Sequence, residues 1–240
     1  MRELVGADTR DSGELDERLT FAPIHAGGDG AWSWHLVANE LRDRGHDVVA
    51  IDLPADDESA DLWAYADAVV EAVGDRSNLV VVAHSFGGFT GPLVCARVPV
   101  RALVMVTAMI PAPGEPPADW WTNTGHTEAR GAVGRDDEDD LETYYHDVPR
   151  ELATEAMRRE RNHPSDRAYH EPWPLDAWPD VPTRFLLCNK DRFFPAEWMR
   201  GLVRDRLGIT PDEIESGHCP MLSHPEELSD RLERSGVESS

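Results

Sequence analysis

The feature that most restricts the fold of this chain is an apolar run followed at once by a serine among small residues. Residues 79–83 read LVVVA, which predicts a buried strand, and HSFGG follows at 84–88. A serine on so tight a strand-to-helix turn has a strained backbone and needs small neighbours, because the turn crowds the adjacent strands. The turn lifts the hydroxyl clear of the sheet, so Ser85 is predicted to be a nucleophile. An ordinary serine in a strand–helix turn is the competing interpretation.

Strand-like and helical patterns alternate along most of the chain, which is typical of a mostly parallel sheet flanked by helices. The predicted strands are residues 19–25, 47–52, 79–83, 101–107, 183–188 and 212–214. The predicted helices are residues 32–44, ending at Gly45, then 60–73, a stretch to about 98 with a kink or late start at Pro92, 195–207 with Pro195 first, and 225–234. The predicted fold class is α/β.

Residues from about 111 to 180 break this alternation. They are rich in proline, carry an acidic run at 136–140 and show no strong apolar strand, and a helical segment is predicted near 141–161. An insertion between sheet strands is a candidate cap over a binding site. We therefore expect one domain spanning residues 1–240, with a small helical cap insertion at about 111–180.

A nucleophilic serine needs a base, and the base needs an acid that orients it. On a sheet with such a serine turn, the acid and then the histidine follow the serine in the chain. Asp191 comes directly after the strand at 183–188, and His218 follows the next short strand. Both predicted loops lie at strand carboxyl ends, where the site of an open parallel sheet forms. His218 is the predicted base and Asp191 the acid, although a given acidic residue is usually a surface residue.

The oxyanion of an acyl-transfer intermediate needs two backbone donors. The amide of Phe86 is one candidate, and the loop after the first strand offers Gly27, with Gly28 as the alternative donor and a substrate contact. A phosphate-binding loop is the competing interpretation, but the loop lacks G-K-[ST] and does not match G-x-G-x-x-G. The candidates for an apolar substrate pocket are Met109, Trp120 and Trp121, with plain core packing as the alternative.

Five segments together resemble the α/β-hydrolase superfamily, and more narrowly its small branch of plant methyl-ester esterases and hydroxynitrile lyases. They are IHAGGDGAWSW, GHDVVAIDLP, VVVAHSFGG, CNKDRFFP and SGHCPMLSHPEEL, which lie outside residues 111–180. The resemblance implies Ser85 as nucleophile, His218 as base and Asp191 as acid. It also implies backbone donors near Gly27 and at Phe86.

Departures from the family pattern bear on the reaction. The lyases of this branch carry a threonine after the first-strand histidine and a lysine after the catalytic histidine, where this chain has Ala26 and Cys219. Such a lysine would stabilise a leaving cyanide, so its replacement favours hydrolysis. Ala26 and Ala83 also stand where glycine is commoner, which tightens the loop and the serine turn.

We therefore predict a serine carboxylesterase that cleaves small hydrophobic esters through an acyl-enzyme and needs no metal or organic cofactor. Three alternatives stay open. They are a cofactor-free lyase on the same scaffold, a C–C bond hydrolase, and a non-catalytic ligand-binding receptor. The expected partner is a small-molecule ester, and a homodimer is compatible with the sequence.

The charge balance narrows the possible partners. The formal net charge is −23, from 46 acidic and 23 basic residues. Such a surface repels phosphate backbones and anionic lipid, so neither nucleic acid nor membrane is expected. An arginine-favouring genome with a solubilising surface explains the excess, and adaptation to high salt is the alternative. The N-terminal residues lack a secretory pattern and the three cysteines show no disulfide framework, so a cytoplasmic location is expected.

Overall fold

The computed structural model describes residues 18–135, 139–161 and 164–237. Residues 1–17, on which the expectation about a leader rests, and most of the acidic run at 136–140 lie outside the described residues. Six parallel strands form one sheet in the order β2-β1-β3-β4-β5-β6. The strands are β1 (Thr20–Ile24), β2 (Asp47–Val48), β3 (Leu79–His84), β4 (Ala102–Val106), β5 (Thr183–Cys188) and β6 (Asp212–Ile214). The predicted α/β class with a parallel sheet is confirmed.

The edge strand β2 is much shorter than the predicted strand at 47–52, and a proline explains the difference. The amides of Asp47 and Val49 donate to the carbonyls of Leu19 and Phe21, so every second residue of β1 faces β2. The next such residue is Pro23, which has no N–H to donate. The hydrogen-bond ladder to β2 therefore ends there.

The helices agree with the predicted positions apart from their ends. They are α1 (His35–Asp43), α2 (Leu62–Val73), α3 (Gly91–Cys95), α4 (Pro117–Asn123), α5 (His126–Ala132), α6 (Asp140–Tyr144), α7 (Arg150–Arg158), α8 (Asp166–His170), α9 (Ala196–Leu207), α10 (Pro220–Ser223) and α11 (Pro225–Val237). Short 3-10 turns at Ala31–Trp34 and Ser85–Phe89 precede α1 and α3. The stretch with Pro92 therefore starts late, and Pro195 caps α9 instead of opening it.

Gly45 ends α1 as predicted. Its φ of 92° is left-handed, and its amide donates to the carbonyl of Arg42 over 2.9 Å. The amide of His46 reaches back to Leu41 over 3.0 Å. This pair of bonds is a Schellman motif, which satisfies carbonyls that the end of a helix leaves free.

The insertion between β4 and β5 consists of short helices, α4 to α8, instead of the single helical segment predicted near 141–161. Trp120 and Trp173 are buried in the same apolar cluster as strand residues such as Val81 and Met105. On the opposite face of the sheet, Tyr145 packs among strand residues. The insertion thus contributes to both apolar clusters of the sheet. No helix among the described residues is long and apolar enough to cross a bilayer.

Two glycines allow a matched test of packing at the serine turn. A Cβ on Gly88 would overlap the backbone of Met109, whereas a Cβ on Gly201, inside α9, would meet only the Arg204 side chain at 3.9 Å. We expect Gly88→Ala to lower the free energy of unfolding by about 3 kcal/mol or more. Gly201→Ala should raise it by about 0.5–1 kcal/mol through helix propensity. Urea unfolding measures both, and equal effects would contradict the predicted close packing.

Candidate active site

Ser85 lies at the sharp turn where β3 ends. Its φ is 48°, a left-handed conformation that is uncommon for a residue other than glycine. The turn brings Gly87 against the end of β1, where a Cβ would lie 2.9 Å from the carbonyl oxygen of His25. Gly91 is equally confined, because a Cβ on Gly91 would lie 2.9 Å from the Cβ of Ala83. The small residues after the serine are therefore required by close backbone approach, as the sequence motif predicted.

The candidate acid and base are hydrogen-bonded to each other. Nδ1–H of His218 donates to Oδ2 of Asp191 over 2.8 Å, and the Asp191 side chain is completely buried. The other ring nitrogen of His218, Nε2, takes no part in this bond. His218 lines the same cavity as Ser85. Among the described residues, no hydrogen bond joins the Ser85 hydroxyl to His218. Catalytic hydrogen bonds are often long until substrate is bound.

The carboxylate of Asp191 is satisfied on both oxygens. Thr107 Oγ1 donates to Oδ2 over 2.8 Å, and the amides of Phe193 and Phe194 donate to Oδ1 over 2.8 and 3.0 Å. Burial by itself raises the pKa of Asp191, but the attraction to His218 and these hydrogen bonds outweigh it. The net pKa of Asp191 is lowered, so the ionised form that can orient an imidazole is favoured.

The loop after β1 is held by a buried, neutral histidine. Nδ1–H of His25 donates to the Ala26 carbonyl over 2.8 Å, and its Nε2 accepts from the Leu53 amide over 3.0 Å. Burial lowers the pKa of His25, which is consistent with one donor and one acceptor nitrogen. Gly27 and Gly28 follow in this loop and line the cavity together with Phe86. The candidate oxyanion donors thus lie around the same space as Ser85.

The cavity has a volume of about 620 Å³ and lies beyond the carboxyl ends of β1 and β3. Met109 and Trp121, predicted as pocket residues, line it. Trp120 does not: it is fully buried, and its indole N–H donates to the Ile110 carbonyl over 2.9 Å. Its assignment to the substrate pocket is therefore corrected to core packing. The indole of Trp120 makes edge-type aromatic contacts with Phe194 and Trp198, as expected for a packed core residue.

Several cavity residues escaped prediction from the sequence. Most of them belong to the insertion, where no periodic pattern marks a pocket-facing side: Asp140, Tyr144, Tyr145, Glu160, Arg161, Pro164 and Tyr169. Asp29 and Phe193 also line the cavity. The sequence signal that could have found them was their position, because Asp29 follows Gly28 and Phe193 lies two residues after Asp191. Burial raises the pKa of Asp29 to about 7, against the attraction of His218. No group of three or more potential metal ligands is clustered within the described ranges.

Comparison with known proteins shows which family and fold this chain shares. A sequence profile described as the alpha/beta hydrolase family matches residues 24–231. Methylesterase 7 of Arabidopsis thaliana is 27% identical over 90% of this chain and 95% of its own length. Norfluorocurarine synthase 1 of a Strychnos species is 25% identical over 89% and 93%. The crystal structure of polyneuridine aldehyde esterase superimposes with a TM-score of 0.76 at 23% identity, covering 90% of this chain and 98% of that one. At that identity the superposition supports the fold alone.

The bond from Thr107 to Asp191 generates a stability prediction. Thr107→Val removes a hydrogen bond to a buried charge and should cost about 1.5–3 kcal/mol at pH 7, whereas Thr107→Ser keeps the hydroxyl and should cost less. Because the folded pKa of Asp191 is lowered, this contribution is present above the unfolded pKa and is lost as the pH falls through the folded pKa. Unfolding at pH 7 and in acid tests it, and equal losses for the two variants at pH 7 would refute it.

Proposed function

The chain belongs to the alpha/beta hydrolase family, and we propose that it is a serine carboxylesterase acting on small hydrophobic esters. The observation that carries this proposal is the buried His218–Asp191 pair, of which His218 lines the same cavity as Ser85 on its strained turn. Relatives named as a methylesterase and as a probable esterase cover most of the chain, which supports an ester as the substrate class.

The proposed reaction proceeds through an acyl-enzyme. Ser85 Oγ attacks the ester carbonyl while Nε2 of His218 takes the hydroxyl proton, and the imidazolium pairs with Asp191. Amides of Gly27 and Phe86 donate to the negative carbonyl oxygen. His218 then protonates the alkoxide, which leaves as the alcohol. Water attacks the acyl-enzyme with His218 again as base, which releases the acid and restores Ser85.

The substrate class is inferred from the cavity. Much of its lining is apolar or aromatic, including Met109, Trp121, Tyr169 and Phe193. Its one arginine is already engaged, because the guanidinium of Arg161 bonds Asp52 and Asp56 over 2.7 and 2.5 Å. That charge is therefore not free to pair with an anionic substrate. A neutral ester with a short apolar acyl chain suits this lining.

The residue directly after the candidate base disfavours a lyase activity. Cys219 lines the cavity where the lyases of this branch carry a lysine, and burial raises the pKa of its thiol. A neutral thiol cannot stabilise a leaving cyanide as an ammonium group would. A purely binding role needs no histidine hydrogen-bonded to a buried aspartate next to a strained serine.

We also place the protein in the cytoplasm. The three cysteines are free and buried, which suits a reducing compartment. The expected partner is a small ester rather than a nucleic acid, because the net charge of −23 repels phosphate.

The esterase proposal predicts that p-nitrophenyl acetate and butyrate are hydrolysed by the protein and that Ser85→Ala abolishes this turnover. We expect a loss of at least about 1000-fold, since nucleophile and base act as a unit. A fluorophosphonate probe should label the wild type at Ser85 and leave the variant unlabelled.

Ser229→Ala is a matched control for this experiment. Ser229 is a buried serine too, but it bonds the Pro225 carbonyl within α11, away from the cavity. The Ser229→Ala variant should therefore keep wild-type turnover and labelling. Equal nitrophenol release by the wild type and Ser85→Ala, or an unlabelled wild type, would overturn the proposal.

A further inference from the structure

A turn in the insertion contacts the loops of both the candidate acid and the candidate base. It lies between α6 and α7, and the amide of Val148 donates to the Tyr145 carbonyl over 3.0 Å. Tyr145 and Val148 are 6% and 7% exposed and pack in the apolar cluster on one face of the sheet. The two residues between them, His146 and Asp147, are therefore presented from a point anchored in the core.

His146 holds the acid loop. Its Nε2–H donates to the carbonyl of Lys190 over 3.0 Å, and Lys190 is the residue directly before Asp191. The acceptor is a carbonyl, so the nitrogen that faces it must carry the proton.

Asp147 holds the base loop. Its Oδ2 accepts the amide of Gly217 over 2.6 Å, and Gly217 is the residue directly before His218. The same oxygen accepts the Ser216 hydroxyl over 3.3 Å. Neighbouring residues of one turn therefore bond the chain immediately before the acid and immediately before the base.

The close approach depends on the glycine at this point of the base loop. A Cβ on Gly217 would lie 2.5 Å from Oδ1 of Asp147 and 2.7 Å from Nε2 of His146. With any larger residue at position 217, the side chains of His146 and Asp147 would have to shift from these positions.

We propose that the turn at residues 145–148, through His146 and Asp147, positions Asp191 relative to His218. The proposal rests on the proposed function in taking these two residues as catalytic acid and base. His146 and Asp147 are positioning residues, since neither bonds the reacting atoms. The two loops also bond each other directly, because the Lys190 amide donates to the Ser216 carbonyl over 3.0 Å. The turn adds a bond to each loop beside that contact.

The test compares Asp147→Ala with Asp147→Asn. Alanine removes the acceptor for Gly217, and kcat for p-nitrophenyl butyrate should fall on the order of 10- to 100-fold with KM little changed, as small misplacements of catalytic groups do. Asparagine keeps an oxygen that can accept the amide and should restore most of kcat. His146→Ala, which removes only the bond to Lys190, should give a smaller loss.

Glu58→Ala is the matched control. Glu58 also accepts a backbone amide of the insertion, that of Asp166 over 2.7 Å, but it contacts neither the acid loop nor the base loop. Its removal should leave kcat unchanged. Melting temperatures of all variants separate a loss of positioning from a loss of folding.

A proton NMR measurement makes the test independent of esterase activity. The His218 Nδ1–H bonded to Asp191 should give a low-field resonance that Asp147→Ala shifts or broadens, while Asp147→Asn and Glu58→Ala retain it. If the wild type hydrolyses no ester, the proposed function fails and the resonance still decides on the turn. Should Asp147→Ala keep the resonance, or Asp147→Asn lose it as fully as alanine does, the positioning role is wrong. If Asp147→Ala does not fold, the resonance of His146→Ala is compared with that of the wild type and of Glu58→Ala instead.

Discussion

The buried carboxylate of Asp191 is the group on which the geometry of the site depends. A charge removed from water is costly unless it is paired and hydrogen-bonded. Here one oxygen is bonded by Thr107 and His218, and the other by two amides of the following turn. Those donors come from the ends of three successive strands, β4, β5 and β6. The carboxylate can be satisfied only when all three loops are in place, so its burial couples the acid to the base.

Histidine side chains reinforce this arrangement. Each donates a ring N–H to a backbone carbonyl in a loop after β1, β5 or β6: His25, His84, His126 and His146. Burial lowers the pKa of His25 and His126, and that of His84 to about 3. A neutral imidazole can fill a buried position and donate one hydrogen bond without the desolvation cost of a charge. His25, His84 and His126 thereby hold loops that carry candidate catalytic groups without adding a charge of their own.

The insertion between β4 and β5 contributes to the cavity, to the core and to the loops of the candidate acid and base. It supplies aromatic and acidic side chains to the cavity, buries Trp120 and Trp173 against the sheet, and bonds the loops before Asp191 and His218. Helices as short as these are barely stable on their own, so packing against the sheet must stabilise them. The same contacts that fold the insertion thus bear on the distance between acid and base.

The fold class and the serine turn followed from local sequence. An apolar strand, a serine and closely spaced glycines restrict the backbone within a few residues, because steric overlap there is local. The order in which Asp191 and His218 follow that turn was also predictable from the sequence, because it depends only on the order of residues along the chain. Side-chain surroundings were not: Trp120 and Trp121 are adjacent and identical, yet one packs in the core and the other lines the cavity. The contacts of His146 and Asp147 with distant loops depend on how an insertion without periodic pattern packs on the sheet, and only the tertiary structure decided that.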